Sequence, residues 1–325
     1  MSVSCPFDGR DGMSAPATRE SPWQLTTGWG GTGYITDLEG PIHWIDFGGP
    51  GDGVPMVFVH GLGGSHLNWA LIGRAMAEGR RVVALDLHGF GLTPGTRGNA
   101  TIQSNARLVD RFIREVVGGP VILAGNSMGG MISIMQTAAN PDTVAGLVLI
   151  DPALPVPRRL PDPGVAATFI AYAVPGVGEV SMKMMQARLS SEDLVNRIIK
   201  LCFADPRRAN AEMLRIGTEL VTIRREIPQK EEAFLGAARS LMKFLINPAN
   251  FEKMMDRIES PVLLIHGEAD RLVPIAAAKR AAAARPAWDT AFVPDVGHTP
   301  QLEAPQQTIG IITDWLSRVP SLATS

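Results

Sequence analysis

Residues 121–139, VILAGNSMGGMISIMQTAA, set one serine, Ser127, between a run of apolar residues and a helical pattern. No other stretch constrains this chain more. Val121, Ile122 and Leu123 read as a buried strand and MISIMQTAA as the body of a helix. An ordinary change of direction needs one glycine or one polar cap. Here Gly125 and Gly129 flank Ser127 at two residues on either side, with Gly130 behind. That spacing predicts a sharp, strained turn that lifts the serine clear of the backbone, because side chains at the flanking positions would collide there. The helix that follows would aim its positive N-terminal end at the serine, which favours a developing anion.

The strand before Ser127 is one of a series. Residues 57–59, 81–85, 120–123 and 146–150 form short, mainly apolar runs, as strands covered on both faces do. Helical patterns separate them at about 66–78, 101–117 and 128–139. The strand pattern resumes at 261–265 and 290–293, with helices near 274–284 and 305–318. Ile42–Phe47 alternates and ends at GGPGDG, which reads as a hairpin strand. Alternating strands and helices imply an α/β fold with a mostly parallel, doubly wound sheet. In such sheets ligands sit beyond the carboxyl ends of the strands.

From about 156 to 250 the alternation stops. The segment holds helical, methionine-rich patches such as SMKMMQARL and AEMLRIGTELVTIRREI. Connections within α/β units usually take about 2–6 residues, so this length predicts an inserted helical subdomain. The expected organisation is a flexible tail over 1–22, a core over 23–155 and 251–325, and the insert over 156–250. The first residues show no basic stretch followed by an apolar one, so they read as a tail rather than a signal peptide, and a cytoplasmic location is the default expectation. No apolar run reaches the ~18 residues of a membrane span. A formal net charge of −2 gives no electrostatic reason to expect a nucleic-acid partner. Cys5 and Cys202 are too few for a disulfide framework or a metal knuckle.

A serine hydroxyl needs a base. Of six histidines, His298 follows the last strand on a glycine-rich loop, in DVGHTP. That order, serine first and histidine last, is the one this topology requires. His60 opens HGLGG after a strand and is expected to hold that loop; His43 and His266 read as structural, and His66 and His88 fall in loops. Asp270, in HGEADRLVP, is the expected orienting carboxylate. Asp151, after the strand at 146–150, competes for that role, and Glu268 is expected to be exposed. An oxyanion hole needs unobstructed backbone N–H groups, and those of Leu62 and Met128 are the candidates.

The stretches VFVHGLGG, LDLHGFGLT, AGNSMGG, LIHGEADRLVP and VGHTPQLEAP together resemble the α/β-hydrolase family in its capped, esterase-like branch, over about 41–155 and 258–320. The resemblance implies Ser127 as nucleophile, Asp270 as acid and His298 as base, with no cofactor, and a lid formed by the insert. Asn126 beside the serine is similar to the hydrolases that cleave carbon–carbon bonds in meta-fission products. Those carry a proline in the HG loop and a tryptophan after the histidine, where this chain has Gly64 and Thr299. Relatives with an aspartate nucleophile are excluded by Ser127.

The expected activity is cleavage of a small-molecule carboxylic ester through an acyl-enzyme. The alternatives are a carbon–carbon hydrolase of the meta-cleavage type and a ligand receptor on the same fold. Gly28–Gly33 formally matches G-x-G-x-x-G but follows no strand and opens no helix, which argues against a dinucleotide site. No H-E-x-x-H or paired-cysteine motif suggests a metal. Met182, Met184, Met185, Met213 and Met242 either pack the lid or line an apolar pocket. Arg188, Arg197 and Arg215 read as solvated helix charges, one of which could hold a substrate carboxylate.

Overall fold

The computed structural model describes residues 16–155, 163–246 and 248–323. Among these residues nine strands form one sheet: β1 (Thr18–Glu20), β2 (Thr32–Asp37), β3 (Pro41–Asp46), β4 (Met56–Val59), β5 (Val82–Leu85), β6 (Val121–Asn126), β7 (Val144–Ile150), β8 (Val262–Gly267) and β9 (Asp289–Val293). Their spatial order is β1-β2-β3-β5-β4-β6-β7-β8-β9. β1, β2 and β3 pair antiparallel, and β3 meets β5 antiparallel; every later pairing is parallel. β1 lies inside the segment expected to be a tail, where it adds three residues to the sheet edge.

The apolar runs follow from burial on both faces. In β4, Val57 and Val59 enter one core while Met56 and Phe58 enter the other. β6 divides likewise, with Leu123 on one side and Ile122 and Ala124 on the other. One face is covered by α2 (Ile102–Phe112), α3 (Met128–Ala139), α9 (Pro248–Met255) and α10 (Ile275–Ala284). The opposite face is covered by α1 (Ala70–Met76) and α12 (Pro305–Arg318), with Phe58 stacked on Trp69 at 4.4 Å between centroids. Phe58→Ala would cost about 3–5 kcal/mol by the usual cavity penalty.

Between β7 and β8 the chain builds α4 (Pro163–Ala173), α5 (Val177–Arg188), α6 (Ser191–Cys202), α7 (Ala211–Arg224), α8 (Lys230–Leu245) and α9. α9 crosses position 250, so the helices run past the expected end of the insert. α4, α5 and α8 pack together, as do α6 and α7. α7 sets Met213, Ile216 and Leu220 against Leu25, Leu67 and Leu92 of the core. Arg224, at its end, donates to the carbonyls of Gly91 and Gly89 at 2.5 and 3.0 Å. Among the described residues no helix is long and apolar enough to cross a membrane.

Candidate active site

Because β4 and β6–β9 run parallel, the segments that follow them gather at one end of the sheet. Ser127 occupies the single residue between β6 and α3 (φ 56°, ψ −119°). This is strained backbone for a residue with a Cβ. The surroundings hold it there. Its N–H donates to Ile150 O at 3.1 Å, and its carbonyl accepts from Met131 and Ala153. A Cβ at Gly125 would sit 2.4 Å from Gly129 O, and one at Gly129 only 2.1 Å from Val59 O. The two flanking glycines are therefore sterically required.

Ser127 is followed by the first free amide of α3. Among the described residues neither Met128 N–H nor Leu62 N–H has an acceptor. Leu62 lies in the loop after β4, whose Gly61 approaches Ser127 so closely that a Cβ there would stand 2.9 Å from the serine Cβ. His60 fixes this loop. Its Nε2 accepts from Leu87 N–H at 3.1 Å, so its proton is on Nδ1 and goes to Gly61 O at 2.8 Å. Burial pushes His60 down to about 4, which keeps it neutral. Phe234 of α8 covers the loop at Gly63 and meets Phe90 and Tyr172 edge-on.

Asp270 and His298 are joined by a 2.7 Å hydrogen bond from Nδ1 to Oδ2. The other Asp270 oxygen accepts from Leu272 N–H at 2.7 Å and Val273 N–H at 3.1 Å. Burial opposes the Asp270 charge, but the facing His298 and these donors outweigh it and hold the carboxyl below the ordinary carboxylate range. Asp151, the competitor for the acid's place, is bonded to Gly267 N–H at 2.9 Å instead. Glu268 is exposed, as expected. Ser127 Oγ makes no hydrogen bond to His298 among the described residues; such contacts are often long in the absence of substrate.

Three connections escaped sequence reasoning. The buried Asn126 amide donates to Ile150 O at 3.0 Å and to His298 O at 3.1 Å. Glu303, on α11 (Pro300–Glu303), accepts from Gly297 N–H at 2.7 Å and from Ala204 and Asp205 N–H at 3.0 and 2.9 Å. Arg271, next to Asp270, donates to the carbonyls of Lys200, Leu201 and Phe203 at the end of α6. His298 N–H itself donates to Cys202 O at 2.6 Å. The helical insert is thus bonded directly to the loops that carry Asp270 and His298. The pairing of a glutamate five residues after the histidine was the sole signal in the sequence, and it does not name the partners.

Among the described residues two buried groupings have metal-ligating residue types: His43, His66 and Asp86, and Asp151, His266 and Asp270. In the first, both imidazole Nδ1 atoms donate to Asp86 Oδ2 at 2.8 Å, which also accepts from Leu92 N–H. In the second, His266 Nε2 donates to Val273 O at 2.9 Å. A proton on each of these nitrogens makes both groupings hydrogen-bonded networks. Arg215 pairs with Glu212 and Glu219 in exposed positions. Gly28–Gly33 falls across a single 3₁₀ turn and the start of β2.

Residues 56–311 match the model of the alpha/beta hydrolase family. Among curated proteins the chain is 26% identical over 275 residues to the dihydrolipoyllysine-residue acetyltransferase component of the acetoin cleaving system of Pseudomonas putida. That match takes in 82% of this chain and 64% of the relative, so the chain spans less than two thirds of that protein. It is 26% identical over 259 residues to the pimeloyl-[acyl-carrier protein] methyl ester esterase of Aromatoleum aromaticum, covering 80% and 96% of the two chains. It is 25% identical over 288 residues to the 2-hydroxy-6-oxononadienedioate/2-hydroxy-6-oxononatrienedioate hydrolase of Cupriavidus pinatubonensis, covering 86% and 92%. With its sheet order, its serine turn and a family match over most of its length, the chain belongs to the alpha/beta hydrolase family.

Proposed function

We propose that this chain is a serine hydrolase that cleaves a carboxylic ester of a small to medium apolar substrate through an acyl-enzyme. The observation that carries the reading is the Asp270–His298 hydrogen bond, on a loop tied through the His298 carbonyl to Asn126, the residue before a serine in strained backbone at the head of a helix. Ser127 attacks the ester carbonyl while His298 Nε2 takes its proton. Leu62 and Met128 N–H donate to the oxygen that becomes negative, which is worth on the order of 10²–10³ in rate per donor. His298 then gives the proton to the leaving alcohol, and in the second half it activates water to release the acid. Asp270 fixes the Nδ1–H tautomer and stabilises the imidazolium.

The insert acts as the lid in this reading. Phe234 and Tyr172 supply aromatic surface beside the oxyanion loop, and an apolar wall gains about 0.8 kcal/mol for each buried methylene. Asn126 is a tether rather than a chemical group here, because both its amide hydrogens are spent on backbone carbonyls. The test is a series of p-nitrophenyl acetate, butyrate and hexanoate run beside a meta-fission dienoate. The expected result is ester cleavage with the longer acyl groups preferred. Cleavage of the dienoate with no ester hydrolysis would replace this reading with the carbon–carbon hydrolase.

A further inference from the structure

Asp151 takes no part in the mechanism above, yet it is buried against the acid that does. Its side chain is inaccessible to solvent. Its backbone is left-handed, with φ 43°, a conformation that aspartate and asparagine tolerate better than most residues. Oδ1 accepts from Gly267 N–H at 2.9 Å. Oδ2 has no donor among the described residues. The ligating atoms of Asp151, His266 and Asp270 lie within 4.8 Å of one another. His266 Nε2 is 3.6 Å from both carboxylates, but its proton points to Val273 O, so it hydrogen-bonds neither.

The groups that face this pair come from four elements. Asp270 and His266 belong to β8 and its loop, His298 to the loop after β9, Glu303 to α11 and Cys202 to α6. The charges that act on Asp151 are the carboxylates of Asp270 and Glu303, and both oppose its ionisation. Among the described residues no lysine or arginine pairs with it. Burial, then the charge of Asp270, pushes the Asp151 carboxyl well above the ordinary carboxylate range. Two carboxyl groups this close and this buried share a proton rather than both ionise.

We propose that Asp151 is a positioning residue: it stays protonated and donates from Oδ2 to the Asp270 carboxylate, fixing the acid that orients His298. The inference rests on the Ser127–His298–Asp270 reading. The orphan Oδ2 then becomes a donor, and Asp270 is held from three sides, by the Leu272 and Val273 amides and by the Asp151 hydroxyl. No proton leaves Asp151 during turnover.

The experiment is the pH profile of kcat/KM for p-nitrophenyl butyrate with the wild type, Asp151→Asn and Asp151→Gly, over about pH 5 to 9, where a histidine base titrates. Asparagine keeps a donor toward Asp270 and an acceptor for Gly267 N–H. It is expected to lose less than about 3-fold in kcat/KM with the acid limb in place. Glycine suits the left-handed backbone but removes the donor. It is expected to lose about 10- to 100-fold in kcat with little change in KM. Its acid limb moves to higher pH, because an Asp270 stripped of a donor holds the imidazolium more strongly. An acid limb that moves down in Asp151→Asn would mean that a charge was removed, so that Asp151 had been ionised, and would overturn the proposal. A glycine variant with lowered kcat and an unmoved limb would reduce Asp151 to a structural part, and would overturn it equally. Should the glycine variant fail to fold, the asparagine profile still decides. A wild type that hydrolyses no ester fails the serine-hydrolase reading itself, which is distinct from an active wild type whose variants behave otherwise.

Discussion

The side-chain amide of Asn126 donates to the main-chain carbonyl of His298 at 3.1 Å, across 172 positions of sequence. One residue before the serine, the end of β6 therefore grips the residue that carries the base. The grip is buried, and the second amide hydrogen is spent on Ile150 O, the carbonyl that also accepts Ser127 N–H. Serine turn and histidine loop are thus located against the same point of β7.

Asn126→Asp tests that relationship. The substitution sets a carboxylate oxygen against two carbonyls in a buried site, so two hydrogen bonds are exchanged for repulsion. The expected cost is about 1–3 kcal/mol for each buried group left unpaired, read as a lower melting temperature and a fall of at least ~10-fold in kcat. An aspartate variant with wild-type stability and turnover would show that the tether has no role.

Glu303 makes the same kind of link from the other side, between Gly297 and the Ala204–Asp205 turn that follows α6. Glu303→Gln leaves one oxygen where two accepted three backbone donors. Hydrogen bonds to a charged group are worth about 1.5–3 kcal/mol each, so a comparable loss of stability is expected. Faster amide exchange should appear in α6 and in 295–298 together. Exchange that rises in only one of the two segments would contradict the link.

Much of the core was legible because its strands are buried on both faces. Uniformly apolar runs such as 146–150 can be little else, and α3 occupies the 128–139 stretch that the periodicity predicts. β2 escaped notice because TGYITD is a mixed segment of a strand near the sheet edge, defined by its pairing with β1 and β3 rather than by its own pattern. The helix expected over 101–117 ends at Phe112 and widens into a π turn before Gly118. Ser127, Asp270 and His298, the residues proposed for catalysis, stand in short motifs. The ties of Asn126, Arg271 and Glu303 were not legible, because the bonds from Asn126 to His298, Arg271 to Phe203 and Ala204 to Glu303 span about 70 to 172 positions and a long-range contact leaves no local pattern.

The proton on Asp151 carries a consequence for stability. Its folded-state position is raised above the unfolded value, so above the unfolded carboxylate range of about 3.9 folding takes up a proton. That contribution weakens as pH rises from about 4 toward the folded value, by up to about 1.4 kcal/mol per pH unit. Asp151→Asn takes up no proton. Its melting temperature relative to wild type should therefore climb from pH 4 toward neutrality. A difference that is flat or falls over this interval would mean that Asp151 is ionised in the folded chain.

Asp270→Asn should cost far more activity than Asp151→Asn. Asparagine at 270 can no longer hold the Nδ1–H tautomer of His298, and such a change has been worth on the order of 10⁴ in rate. Initial rates on p-nitrophenyl butyrate give the ranking; the reverse order would move the acid to β7.

Everything proposed for the site depends on Ser127 being the nucleophile. That is read most directly from the mass of the intact chain, followed by peptide mapping, after exposure to a fluorophosphonate. A nucleophilic Ser127 gives a single adduct, on the peptide that contains it. It also gives no adduct in Ser127→Ala, whose turnover should fall by on the order of 10⁴–10⁶ while its melting temperature holds. An unmodified wild type, an adduct on another residue, or full ester hydrolysis by Ser127→Ala would contradict it.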